Sequence, residues 1–208
     1  MIKAISGFIS VILHPLLMTT WFIFTLTFLT PETIGLDILD NHGKWVMIGI
    51  FMLLTFILPM ASIVILRITS NISSLTLEER TERLYPLIFT IIYYGATCYF
   101  LVVQYKVSAE LASILIGVLL TLIIITVITL FWKISVHSAA AWGVAGALLG
   151  LNIAMSSEIL VYLLSTSILI SGAIGSARLY LNAHTPAQVG WGGLLGFLIC
   201  FSTILIMT

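Results

Sequence analysis

Apolar residues fill seven stretches of the chain, separated by short polar or charged clusters. The stretches cover approximately residues 5–30, 45–67, 86–104, 108–131, 137–153, 158–176 and 187–207. A membrane-crossing helix needs about 20 predominantly apolar residues, and most of the seven reach that length. Strands of a membrane barrel would alternate polar and apolar side chains, and these runs do not. The pattern predicts an all-α fold: a polytopic transmembrane helix bundle of six to seven spans. The number is six if the first segment lies partly in the membrane interface, because His14-Pro15 interrupts it. A proline kink with the histidine satisfied inside the bundle is the expected reading of that pair. No linker, repeat or low-complexity segment divides the chain, so residues 1–208 read as a single transmembrane domain.

The N-terminus places Lys3 before a long apolar run, as a secretion signal does. That run continues to about Leu29 without a small-x-small cleavage site, which predicts a retained first span.

Composition agrees with the pattern. Of 208 residues, 61% are hydrophobic and 8% charged, against roughly a quarter charged in soluble domains. The formal net charge is zero, so nothing argues for a nucleic-acid partner. Cys98 and Cys200 fall inside apolar runs and read as small buried hydrophobes, with no disulfide implied.

The connections between spans carry the candidate chemistry. Crossing the membrane at every span puts three short stretches on one face: Glu78 to Pro86, Lys133 to Gly143 and Gly175 to Gly192. Together they bring Arg80, Arg83, Lys133 and Arg178 beside His137 and His184. Guanidinium groups make forked, charge-assisted hydrogen bonds to phosphate oxygens. Two histidines divide a phosphoryl transfer between nucleophile and general acid. Thr185-Pro186-Ala187-Gln188 has the form of a helix start with a capping box, which places His184 just outside an N-terminus that favours anions. Taken singly, each cation is more ordinarily an interfacial anchor. The convergence of three segments favours a site. Glycines at 143, 146, 150, 192 and 196 predict close helix packing beneath it.

At these residues the chain resembles the type 2 phosphatidic acid phosphatase superfamily, which includes membrane lipid phosphatases and soluble vanadium haloperoxidases. The pattern of that family is K-x6-R-P, then P-S-G-H, then S-R-x5-H-x3-D. The third part here reads A-R-x5-H-x3-Q, with Ala177, Arg178, His184 and Gln188, followed by Val189 and Gly192. The second reads Ile134-Ser135-Val136-His137, and the first is replaced by Arg80-x2-Arg83-x2-Pro86. The resemblance covers residues 78–192, a motif-bearing phosphatase-like core. It implies that His184 is the nucleophile and His137 the acid that protonates the leaving alkoxide. Arg178, Ser135 and the backbone at Val136 would form the phosphate cradle, with Arg80 or Arg83, helped by Lys133, standing for the first motif. It also implies a substrate, a lipid phosphate or polyprenyl (di)phosphate, drawn from the surrounding membrane lipids. No metal or other cofactor is expected, because histidine and arginine carry the chemistry. The implied location is a bacterial inner membrane with the site on the outer face. The positive-inside rule favours the opposite side, but four of the six cations on that face belong to the candidate site.

Two departures matter. Gln188 stands where the family has aspartate, so the nucleophile's partner accepts a hydrogen bond but brings no charge. Glu78, Glu79 or Glu82 are the candidates to supply it. Val136 replaces a glycine where the backbone should approach phosphate. A second reading follows: a catalytically impaired relative that binds an anionic lipid headgroup or scaffolds a partner. A small transporter is the third, with His14-Pro15 and Pro59 as its only mid-span hints.

Overall fold

The structure, a computed structural model, describes residues 1–74, 77 and 79–208. Among these the regular elements are all helical. They are α1 (Ile2–Ile12), α2 (Pro15–Leu29), α3 (Asn41–Met52), α4 (Leu58–Ile68), α5 (Leu84–Cys98), α6 (Ala109–Thr129), α7 (Val136–Met155), α8 (Glu158–Tyr180) and α9 (Pro186–Met207). α3 and α4 join through a π turn at Leu53–Ile57, and α5 ends in another at Tyr99–Gln104. Six segments are long and apolar enough to cross a membrane: Asn41–Ile68, Thr81–Gln104, α6, α7, α8 and α9. The protein is therefore built as a multi-pass helical bundle. α1 and α2 qualify only as a pair, bent by 65° between them.

Each irregularity has a local cause. His14 caps α2, its Nδ1 accepting from the Leu16 N–H at 3.3 Å, and Pro15 supplies the first helical residue. The chain is thus set up to end one helix and begin another inside one apolar run. The π turn at Leu53–Ile57 precedes Pro59, whose ring cannot sit against the carbonyl four residues earlier. α1 exposes Ile2, Ile5, Phe8 and Val11 and buries Ser6 and Ser10. That is the reverse of a helix facing water, and it suits a lipid environment.

The bundle is unevenly filled. Phe22, Ile23, Leu26, Phe51, Leu111, Leu115, Leu151, Leu160 and Ile204 form its main core, toward the ends of α7 and α8 joined by Ser156. The other end, where α7 and α9 begin, is held by backbone contact. α7 packs more extensively against α9 than any other two helices pack. A Cβ at Gly192 would stand 2.6 Å from the Ser135 carbonyl oxygen, and one at Gly146 or Gly196 would strike the backbone of Phe197 or Ala139. In lipid, such close approach is the main source of helix association.

Candidate functional site

Two helix N-termini meet at this end. Ser135 caps α7 through Oγ, which accepts from the Ser138 N–H at 3.3 Å. Its own N–H donates to the Gln188 carbonyl at 3.2 Å. The Ser138 hydroxyl donates to the Val189 carbonyl at 2.7 Å. Thr185 caps α9 in a complete capping box with Gln188. The starts of α7 and α9, with His137 and His184, are thereby fastened side by side.

Hydrogen bonding fixes the state of His184. Gln188 Oε1 accepts from the Thr185 backbone N–H at 3.2 Å. A backbone N–H only donates, so the amide oxygen is the atom on that side. The same oxygen lies 3.1 Å from His184 Nδ1, which must therefore carry the proton. Neutral His184 then keeps its lone pair on Nε2. The ring is buried, at 8% exposure. Burial and the Arg83 charge lower it from its ordinary range to about 4, with Arg178 and Lys133 acting the same way against the Gln188 bond. The unprotonated form prevails at neutral pH.

His137, His184, Arg83 and Arg178 all line one cavity of about 490 Å³. Arg83 is 7% exposed and anchored by two carbonyls, Leu77 at 2.8 Å from Nε and Ile134 at 3.4 Å from Nη1. Arg178 reaches the cavity from the last turn of α8. Its Nε is buried without a hydrogen-bond partner among the described residues. No Asp or Glu lines the cavity among the described residues. Two guanidinium groups without a carboxylate suit an anion.

The N-terminal helices complete the site, which the sequence pattern did not single out. His137 Nε2 donates to the Ser10 carbonyl at 3.2 Å. His14 and His137 meet edge to face with centroids 5.5 Å apart. Ser10 and His14 both line the cavity. The only sequence signal was an ionisable residue placed before a proline inside an apolar run.

Other expected site residues are placed elsewhere. Arg80 donates to the carbonyls of Thr129 and Leu130 at the end of α6; it closes that helix and does not line the cavity. Ser135 is fully buried, its hydroxyl taken by the α7 cap, and contributes no wall. Lys133, on the α6–α7 connection, acts on His184 by its charge but is not a lining residue. Gln188 sits behind His184 and is likewise not part of the wall. Glu82 accepts from the Ser73 N–H at 2.8 Å and the Ser73 hydroxyl at 3.0 Å, which commits it to its own loop. Glu79 is exposed, and Glu78 lies outside the described residues. Among the described residues, no three His, Cys, Asp or Glu side chains are grouped to hold a metal ion.

Compared with known protein families, curated proteins and solved structures, the chain matches none.

Proposed function

We propose that the chain is a membrane phosphatase acting on a lipid phosphate or polyprenyl (di)phosphate through a phosphohistidine. One observation carries the reading: a histidine with a fixed tautomer and a free Nε2 lone pair shares a cavity with the buried Arg83 and the half-buried Arg178. His184 Nε2 attacks phosphorus, and the bond from phosphorus to the lipid oxygen breaks. Arg83 and Arg178 hold the charge on the equatorial oxygens, where positioning and electrostatics supply most of the catalysis. His137 Nδ1 takes the acidic proton of the bound phosphate monoester monoanion, and the ring then works as an imidazolium. Its Nε2–H stays on the Ser10 carbonyl while Nδ1–H passes to the departing alkoxide. Water then attacks the phosphohistidine, giving its proton to His137. Inorganic phosphate leaves and His184 is regenerated.

The location proposed with it is a bacterial inner membrane, with the site on the outer face, as the family resemblance implies. Single cysteines at Ser74 and Ser156 test the sidedness, because they stand on connections at opposite ends of the bundle. The native Cys98 and Cys200 are buried. Labelling of Ser74→Cys by an impermeant thiol reagent from outside supports the outer face.

The activity is tested by phosphate release from lipid phosphates with purified protein, using His184→Ala as control. Equal release from both removes the enzyme reading. Gln188, and a cavity lined by no carboxylate among the described residues, favour the second reading, a phosphate-headgroup binder with weak or lost turnover. Gln188→Asp separates the two: a gain in rate marks the missing charge as the defect.

A further inference from the structure

The cavity is much larger than a phosphate requires. Its charged groups, Arg83 and Arg178, stand at one end, with the three histidines. Beyond them the walls are mostly apolar, including Leu87 on α5, Ile114 and Val118 on α6, and Val144 and Ala147 on α7. Three helices give its depth independently. Lining residues run from Arg83, at the N-cap of α5, to Tyr94, from Ile125 to Ile114 on α6, and from His137 to Ala147 on α7. At 1.5 Å rise per residue each run spans about 15 to 17 Å. That is about half of a ~30 Å hydrocarbon layer. Agreement among three walls describes a shaft descending into the bundle. Its volume, about 490 Å³, suits a pocket that encloses one small ligand. Protein interiors are ordinarily filled, and an apolar void forfeits packing contacts. An apolar occupant restores them.

We propose that this shaft holds the chain of the substrate, a single-chain amphiphilic phosphate. The phosphate sits between Arg83 and Arg178, and one aliphatic chain, alkyl or isoprenoid, runs into the protein and not among the bilayer lipids. The inference rests on the phosphatase reading for what happens at the head, but not for where the chain goes. An extended carbon chain advances roughly 1.2 Å per bond, the advance of an extended polypeptide per backbone bond. The shaft therefore accepts about a dozen carbons. A two-chained lipid has no room for its second chain. Lipid tails are as apolar as the walls, so moving a chain from bilayer to protein brings little hydrophobic gain. Discrimination comes from packing and from a length limit.

The test uses the full chain in lipid nanodiscs, with butyl, octyl, dodecyl and octadecyl phosphate as substrates. Relative rates should rise to dodecyl and fall at octadecyl. Val118→Phe narrows the shaft about 10 Å below Ile125 and should lower the dodecyl-to-butyl ratio about tenfold. Ala147→Leu raises the floor and should lower the dodecyl-to-octyl ratio while the octyl-to-butyl ratio holds. Ratios within one preparation are independent of the folded fraction. A Val118→Phe ratio equal to that of the native chain overturns the proposal, as does hydrolysis of two-chained phosphatidic acid as fast as dodecyl phosphate. If no phosphate is released from any compound, the phosphatase reading fails. The same ratios, read as thermal protection by the matching alkylphosphonates, then decide the shaft.

Discussion

His184 Nδ1 donates to Gln188 Oε1 across 3.1 Å, and the Thr185 N–H donates to the same oxygen. One amide oxygen thus starts a helix and orients an imidazole. Gln188→Leu removes both bonds. It should cost about 2 kcal/mol of stability, at about 1 kcal/mol for each hydrogen bond lost. It should also slow turnover by about 10² to 10⁴, because the ring is then free to take the other tautomer. Thermal melts and initial rates on one preparation check both.

The two arginines near the first motif should behave differently. Arg83→Gln removes a charge from the cavity and should weaken vanadate or phosphate binding by about tenfold to a hundredfold, the range for hydrogen bonds to charged groups. Arg80→Gln removes only the closure of α6. It should lower the melting temperature slightly and leave anion affinity within about twofold. Equilibrium titration of the two variants separates the roles.

Acid should destabilise the protein through His184. An unfolded histidine titrates near 6.5, and the folded group near about 4. Between those values the unfolded chain binds a proton that the folded chain does not. Stability is therefore complete above about 6.5, falls as pH drops toward about 4, and levels off below. His184→Asn should flatten that part of the profile in melting temperatures taken across the window.

The seam between α7 and α9 should not tolerate side chains. Gly196→Val places atoms on the Ala139 backbone and should cost about 3 kcal/mol or more, with loss of folded protein in detergent. Gly172→Ala is the contrast, because a Cβ there meets nothing within 4 Å. It should be neutral or slightly stabilising in a helix. Chemical denaturation of the pair checks it.

The spans were legible because long apolar runs admit few alternatives in a membrane. The meeting of Arg83, His137, Arg178 and His184 followed from crossing order. Their spacing along the chain fixed which helix ends they occupy. The task of Arg80 was not legible, since it depends on where α6 stops relative to a loop far away in sequence. Glu82 was offered as a source of charge for His184, but Ser73, nine residues earlier, is the nearer partner. The cavity was also hidden, because a void and a filled core have the same apolar composition. His14 read as a kink residue, and the cap bond confirms that much. Its place beside His137 depends on how far α1 swings from α2.

Glycine contacts and cap bonds weld the beginnings of α7 and α9 into one rigid body. His184 stands just ahead of one helix and His137 in the first turn of the other, so the spacing of their backbones is held by that seam. Any ligand that enters the cavity must part some other wall to reach them. That leaves the jointed N-terminal pair and the Arg83-bearing flank as the movable sides of an otherwise immobile vise.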